Sequence, residues 1–128
     1  MKLVLYVLGF IWALPLSIIG AVLSLVYGPK AVRWQNGVLL VQVRWLIGFK
    51  DTIGQTFGIY IFLKPPINED VTSLDRIIAH ERTHTFQGFR WGIFFIFAYP
   101  LASLIAWARG KHFYRDNYFE IKARAAEK

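Results

Sequence analysis

The feature that most constrains the fold is a stretch near the N-terminus, residues 3–27, in which 25 residues carry no charged side chain. As one helix, this stretch would be about 38 Å long, enough to cross the roughly 30 Å hydrocarbon core of a bilayer. It is too long for the apolar part of a cleaved signal peptide. Pro15 lies near its middle and predicts a kink. We therefore expect residues 1–29 to form a transmembrane anchor.

The composition and charge also favour a membrane protein. Hydrophobic residues make up 55% of the chain and the mean hydropathy is +0.39, both high for a soluble domain. The net charge is +7, and the basic residues that flank apolar runs, where lipid headgroups lie, are Lys2, Lys30, Arg33, Arg90, Arg109 and Lys111. We therefore expect a lipid bilayer as a partner and no nucleic acid. The chain has no cysteine, which excludes disulfides and cysteine ligands for a metal.

The segment after this stretch has the pattern of β-structure. Asn36-Gly37, the strongest short hairpin signal, separates two strand-like runs at residues 32–35 and 38–45. A third strand is predicted at residues 57–63. The turn before it is marked by three residues, Lys50, Asp51 and Gly54. These runs predict a small antiparallel sheet, which together with the helices gives an α+β fold.

A short motif occupies residues 80–84, which read H-E-x-x-H. Side chains four residues apart lie on the same face of a helix, so His80 and His84 can hold one zinc ion. Glu81 follows the first histidine, where a carboxylate can reach a water molecule on that metal. The motif therefore predicts a zinc site with a neighbouring base.

The helix around this motif has recognisable ends. Thr72 or Ser73 is a suitable N-cap, and Gly88 is a suitable stop. Its apolar residues recur with helical spacing, at Leu74, Ile77, Ile78 and, beyond the histidines, Phe86 and Phe89. We therefore expect the two histidines to lie in the middle of an amphipathic helix, which provides the rigidity that a metal site needs.

A catalytic zinc ion usually has three protein ligands, so a third ligand is expected downstream. Four residues are candidates for it: His112, Asp116, Glu120 and Glu127. Glu120 is favoured because it lies near the start of a predicted helix, residues 117–128, and because the small Ala123 one turn later leaves room for close packing. A competing interpretation is a capping box, in which Glu120 accepts a hydrogen bond from the backbone N–H of Asn117.

Several of these residues together resemble the gluzincins, a family of zinc metallopeptidases. The resemblance rests on H-E-x-x-H-x-x-Q, which ends at Gln87, on an apolar stretch, and on residues 114–120, which read Tyr-Arg-Asp-Asn-Tyr-Phe-Glu. It is closest to small bacterial and phage membrane proteins of that type and covers most of the chain loosely. One departure is Arg124, which stands where better-studied gluzincins have an aspartate.

The resemblance implies a specific site and activity. It implies a Zn²⁺ ion bound by His80, His84 and Glu120, with Glu81 as the general base. The nearby residues whose chemistry could support a ligand or stabilise an oxyanion are Gln87, His112, Tyr114, Asn117 and Tyr118. On this interpretation residues 30–128 form a minimal zincin-like domain of a membrane-anchored endopeptidase, which hydrolyses a peptide or protein substrate with a zinc-activated water.

The charge pattern indicates how such a protein would be oriented. One basic residue, Lys2, precedes the first apolar stretch, whereas Lys30, Arg33 and Arg44 follow it. By the positive-inside rule, the catalytic domain faces the cytoplasm. We expect the bacterial inner membrane as its location.

Two other functions are compatible with the sequence. The first is a non-catalytic, metal-stabilised membrane protein that acts as an assembly or regulatory factor. The second is a two-span membrane protein in which the H-E-x-x-H motif is accidental. Metal content separates the second from the others, and a change of Glu81 alone separates catalysis from metal binding.

A second apolar run, residues 91–108, bears on both the fold and the site. As a helix it would be about 27 Å long, so it could just cross a bilayer. A single crossing would leave His80 and Glu120 about 30 Å apart, whereas a zinc–oxygen bond is about 2 Å. We therefore expect the run to turn at Pro100 and return, which keeps its two ends at one membrane surface.

Overall fold

The computed structural model describes residues 2–47, 52–64 and 72–127. Its helices are α1 (Lys2–Trp12), α2 (Leu14–Tyr27), α3 (Thr72–Trp91), α4 (Phe95–Ala108) and α5 (Tyr118–Ala125), and a 3-10 turn (Gly92–Phe94) joins α3 to α4. Its strands are β1 (Ala31–Gln35), β2 (Val38–Gln42), β3 (Gly54–Phe57) and β4 (Tyr60–Leu63). The predicted α+β class is confirmed. Lys50 and Asp51 of the predicted turn, and the side chains of the predicted caps Thr72 and Ser73, lie outside the described part.

The four strands form one sheet in the order β1-β2-β4-β3. β1 and β2 form an antiparallel hairpin whose turn residues, Asn36 and Gly37, have φ values of +46° and +88°. The hairpin predicted at these residues is therefore confirmed. β2 and β4, however, are parallel, with Val41 beside Phe62. The prediction of an antiparallel sheet is wrong, and the sheet is mixed.

The difference arises within residues 57–63, which the sequence predicts as one strand. Gly58 has a φ of +60° and turns the chain, so the segment contains the end of β3, a tight turn and β4. β4 takes a central position because three of its side chains, Ile61, Phe62 and Leu63, are fully buried. β3, which carries the polar residues Gln55 and Thr56, takes the edge. β3 and β4 form a hairpin and therefore run in opposite directions. Because β4, and not β3, pairs with β2, that pairing is parallel.

The core has two parts, one on each face of the central strands. On one face, Ile61 packs with Leu74 and Ile78 of α3. On the other face, Phe62 packs against Tyr27 at the end of α2. Successive residues of a strand point to opposite faces, so helices can cover β4 on both sides. This packing fixes α3 directly against the sheet.

The N-terminal apolar stretch is not one continuous helix. α1 and α2 meet at Ala13 with a bend of 68°, so the kink predicted near Pro15 is present. Both helices pack against the rest of the chain: α1 lies along α3, and Ser17 Oγ of α2 accepts a hydrogen bond from the backbone N–H of Ile59. By length and composition, the stretch is sufficient to cross a membrane only if the bent pair counts as one span.

The helical run Leu74–Ala108 is long and apolar enough, by length and composition, to cross a membrane. It is not straight, because the ring centroids of His84 and Tyr99 are 6.0 Å apart, whereas a straight helix would separate these residues by about 22 Å. The chain folds back at Gly92, which has a φ of +62°. α4 therefore lies beside α3 and close to the histidines.

Two predictions for this run are wrong, a turn at Pro100 and a helix end at Gly88. Pro100 lies inside α4, because proline keeps a helical φ and removes only one backbone hydrogen bond. The positive φ of Gly92, in contrast, cannot continue a helix. Gly88 is a contact position within α3, since a Cβ there would lie 3.1 Å from Leu16 Cδ1 of α2.

Candidate metal centre

Three potential metal ligands converge between α3 and α5. His80 and His84 are one turn apart on α3, and Glu120 of α5 lies against both. Its Oε1 is 2.8 Å from His80 Nε2, and its Oε2 is 3.1 Å from His84 Nε2. The ligand atoms of the three residues all lie within 4.8 Å of one another, so the group can bind a metal ion. Ala123, one turn beyond Glu120, is fully buried, in agreement with the predicted close packing of α5.

The chemistry of this group fits a metal such as zinc. Two imidazole nitrogens and one carboxylate oxygen make the His₂Glu set, which leaves a fourth coordination position open. Donor atoms around a tetrahedral ion with bonds of about 2.0–2.1 Å are roughly 3.3 Å apart, close to the 2.8 Å and 3.1 Å between the Glu120 oxygens and the two histidine nitrogens. His84 and Glu120 are 8% and 2% exposed, so bulk water competes little for their ligand atoms.

Asn117 fixes the start of α5 and thereby the position of Glu120. Its Oδ1 accepts the backbone N–H of Phe119 and so caps α5, while its Nδ2 donates to the backbone oxygen of Tyr99 in α4. The backbone N–H of Asn117 donates to the backbone oxygen of Tyr114. The Glu120 carboxylate is therefore directed at the histidines, and the capping-box interpretation does not describe it.

Each histidine has a partner on its far side. His84 Nδ1 is 2.8 Å from Gln87 Oε1, and Gln87 Nε2 donates to the backbone oxygen of Phe119. His80 Nδ1 is 3.7 Å from a carboxylate oxygen of Glu127. Contacts of this kind fix the tautomer and the orientation of a ligand ring. Gln87, a predicted supporting residue, thus contacts His84, and Glu127 lies near the side of His80 that faces away from Glu120.

Glu81 is buried beside the triad and is held by β3. Thr56 Oγ1 donates to Glu81 Oε2 at 2.6 Å and lies 3.1 Å from the Glu81 backbone oxygen. Gly54 permits this close approach, since a Cβ there would lie 2.7 Å from Glu81 Oε1. Burial raises the pKa of the Glu81 carboxyl above its usual range, which favours proton exchange closer to neutral pH.

Glu120 and the two histidines shift one another's pKa values through their hydrogen bonds. Burial alone would raise the pKa of Glu120, but hydrogen bonds from His80 and His84 outweigh it and hold that pKa well below the usual range. Burial alone would lower the pKa of both imidazoles, but the bonds to Glu120 and the charge of Glu81 outweigh it and raise that pKa. Because a metal ion binds the neutral imidazole, the raised pKa values mean that protons compete with a metal ion for the two histidines.

A cavity of about 800 Å³ adjoins the triad. It lies between β3, α3, α4 and α5, and Glu81 and Glu120 are among its polar residues. Its walls are largely apolar and include Leu16, Ile53, Phe57, Phe95, Ile96 and Phe113. This size is typical of ligand sites, and the triad is accessible from the cavity.

Three of the residues predicted to support a ligand or stabilise an oxyanion are His112, Tyr114 and Tyr118, and of these only Tyr114 lines this cavity. Burial and the charge of Glu120 raise the pKa of Tyr114 to about 12. Tyr118 is 58% exposed and its ring lies under the Lys122 ammonium. His112 accepts hydrogen bonds from two backbone N–H groups, so it organises the turn before α5.

Two residues at the site, Thr56 and Tyr99, are not predicted from the sequence. Tyr99 donates its hydroxyl to Glu120 Oε2 at 2.5 Å, and its ring contacts His84. A signal for Tyr99 exists, because it is one of the few polar side chains in the apolar run. Thr56 has no such local signal, because its contact depends on how β3 lies beside α3.

Comparison with known proteins identifies no relative: no protein-family model, no curated protein and no solved structure matches this chain. The resemblance to gluzincins accordingly rests on the residues of this chain alone. The structure brings together His80, His84 and Glu120 in a group that can bind a metal ion.

Proposed function

We propose that this chain is a membrane-associated, zinc-dependent endopeptidase. The observation that supports this most directly is the arrangement of His80, His84 and Glu120 next to the buried carboxylate of Glu81. Zinc bound there would supply Lewis acidity and lower the pKa of a water molecule to about 7. The remaining roles in hydrolysis belong to side chains of the protein.

Glu81 is the proton acceptor in this proposal. It lines the cavity, Thr56 fixes one of its oxygens, and burial raises the pKa of its carboxyl toward the working pH. Having taken a proton from the attacking water, Glu81 can return it to the leaving amine. Tyr114 keeps its proton because its pKa is about 12, so its hydroxyl can donate to the oxyanion formed at the peptide carbonyl.

The edge strand β3 provides a place for an extended substrate. It is an outer strand of the sheet and pairs with β4 on one side. Residues 54–57 of this strand line the cavity beside the triad. A peptide added to the free edge would pass the triad and gain main-chain hydrogen bonds. This arrangement favours a peptide or protein substrate over a compact small molecule.

The apolar outer surface supports a membrane location. α1, α2 and α4 expose large apolar side chains, with 73% of Leu3, 82% of Leu25 and 70% of Phe97 accessible. Soluble proteins rarely expose contiguous apolar surface on this scale. We infer that these helices contact a bilayer, with the site on the cytoplasmic side that the positive charges after α2 favour.

The test uses the full chain purified in neutral detergent without chelators. Elemental analysis should find about one zinc ion per chain, and the protein should cleave members of a fluorogenic peptide library. Glu81→Gln should keep the zinc and lose at least about 10²-fold of the activity, because proton transfer contributes roughly 10²–10⁴-fold. Asp75→Asn, which removes an exposed carboxylate on the same helix, is the control and should change neither. A chain that holds no zinc refutes the proposal.

A non-catalytic, metal-stabilised protein is the second candidate, and one feature favours it. Glu120 links α3 to α5, and Tyr99 and Asn117 link α4 to α5. A metal ion bound between α3 and α5 would therefore stabilise the packing of all three helices. Such a protein could act as an assembly or regulatory factor. Zinc removal would then lower the melting temperature, no library peptide would be cleaved, and Glu81→Gln would behave as wild type.

A further inference from the structure

A second cavity, here called the basic groove, lies on the other face of α3 from the triad. It has a volume of about 930 Å³ and is bounded by α1, the β1–β2 hairpin and α3. The residues that α3 contributes to it are Arg82, Phe86, Phe89 and Arg90. At about 100° per residue, these are centred roughly 200° around the helix from His80 and His84. The basic groove is therefore separate from the proposed active site.

The charge of the basic groove is positive. Lys2 of α1 and Arg82 and Arg90 of α3 line it, and no described acidic residue does. None of these three cations forms an ion pair with a carboxylate in the part of the chain that the structure describes. The Nε of Arg82 is shielded from solvent and has no hydrogen-bond partner among those residues. The groove thus complements an anion.

The walls of the basic groove are apolar and aromatic. Trp34 of β1 and Phe86 of α3 are 58% and 45% exposed, and the Arg82 guanidinium lies 5.4 Å from the Phe86 ring centroid. Leu5 and Leu8 of α1 continue the groove onto the apolar outer surface of that helix. A ligand that fills the groove therefore needs an anionic end and a long apolar part.

We propose that the basic groove binds an anionic phospholipid. The phosphate lies against Arg82, with Lys2 and Arg90 at the rim, and an acyl chain follows Leu5 and Leu8 along α1. Free phosphate shares the anionic chemistry but leaves the apolar walls exposed to water, so it binds more weakly. A zwitterionic lipid fills the walls but brings a positive group next to three cations.

The proposal is tested on the full chain in neutral detergent by native mass spectrometry. Phosphatidylglycerol is titrated in parallel with phosphatidylcholine, and bound lipid is counted per chain. Phosphatidylglycerol should bind at least about tenfold more tightly, and Arg82→Gln should weaken its binding by about tenfold. Lys2→Gln removes a charge from an exposed helix end and should weaken binding as well. This second variant tests the groove even if Arg82→Gln does not fold.

Arg76→Gln is the matched control, because Arg76 is an exposed cation of the same helix outside the groove. It removes the same charge and should leave lipid binding unchanged. Equal binding of the two lipids, or equal losses in Arg82→Gln and Arg76→Gln, overturns the proposal. Inorganic phosphate that displaces phosphatidylglycerol at similar concentration assigns the groove to free phosphate and also overturns it. Zinc content should be unchanged in Arg82→Gln, so the result is independent of the proposed activity.

Discussion

The Thr56 hydroxyl donates a 2.6 Å hydrogen bond to Oε2 of Glu81, a residue 25 positions further along the chain. The bond joins the edge strand of the sheet to the helix that carries both histidines. It also compensates a buried carboxylate, which is costly to hold in its charged form without a donor. The position and the protonation of Glu81 therefore depend on a strand that is remote from the motif in sequence.

Thr56→Val removes this donor while keeping the shape of the side chain. We expect the free energy of unfolding to fall by about 1–3 kcal/mol, because a buried acceptor loses its partner. The pKa of Glu81 should rise further, so the acidic limb of the pH profile of the proposed peptidase activity should move to higher pH. Denaturant titration and pH–rate profiles measure the two effects. Thr56→Ser keeps the hydroxyl and should resemble wild type, and a Thr56→Val protein of unchanged stability would contradict the role of the bond.

Glu120→Gln should weaken zinc binding more than Glu127→Gln does. Glu120 contacts both histidines with its oxygens, whereas Glu127 lies behind His80. A residue that only supports a ligand typically contributes roughly 10–100-fold to metal affinity, and a ligand contributes more. Competition with a chromophoric chelator gives the two dissociation constants. Small and equal effects would show that Glu120 is not a ligand.

Acid should destabilise the metal-free protein through Glu120. The pKa of this carboxyl is depressed in the folded chain, whereas an unfolded glutamate has a pKa of about 4.3. A depressed carboxyl stabilises the fold above the unfolded pKa, and that contribution is lost as the pH falls through this value toward the folded pKa. Melting temperatures of chelator-treated protein should therefore fall in acid. The melting temperature of Glu120→Gln should fall less steeply in acid. An identical pH dependence in the variant and the wild type would show that Glu120 is not the cause.

Gly92→Ala should disturb the fold-back between α3 and α4. Gly92 has a φ of +62°, and a Cβ there would lie 2.6 Å from the Trp12 ring. We expect the free energy of unfolding to fall by about 1–3 kcal/mol. Pro100→Ala lies in the same helical run and should have little effect or stabilise the protein, because α4 already continues through this position. A larger loss of unfolding free energy in Pro100→Ala than in Gly92→Ala, measured by denaturant titration, would place the turn at Pro100.

The features of this protein that follow from the sequence alone are local ones. Asn36-Gly37 forms the predicted hairpin, His80 and His84 share one face of a helix, and the apolar stretch bends close to Pro15. Each of these depends on the backbone preference of one or two residues, or on spacing within one turn of helix. Such preferences act over a few residues, so a single sequence is enough to read them.

The tertiary structure alone decides which distant segments meet. The parallel pairing of β2 with β4, the bond from Thr56 to Glu81 and the bond from Tyr99 to Glu120 join residues 21 or more positions apart. Local pattern does not encode these contacts, because burial selects them: β4 is more apolar than β3 and takes the centre of the sheet.

Glu120 depends on both its local sequence and the tertiary packing. Its sequence context, a carboxylate near the start of a helix, favours a metal ligand but is also compatible with a helix cap. The packing of α5 on α3 rules out the cap, because it buries the carboxylate against two imidazoles, while the backbone N–H of Asn117 donates to the backbone oxygen of Tyr114. A buried charge must be paired, and only the three-dimensional fold determines with which groups.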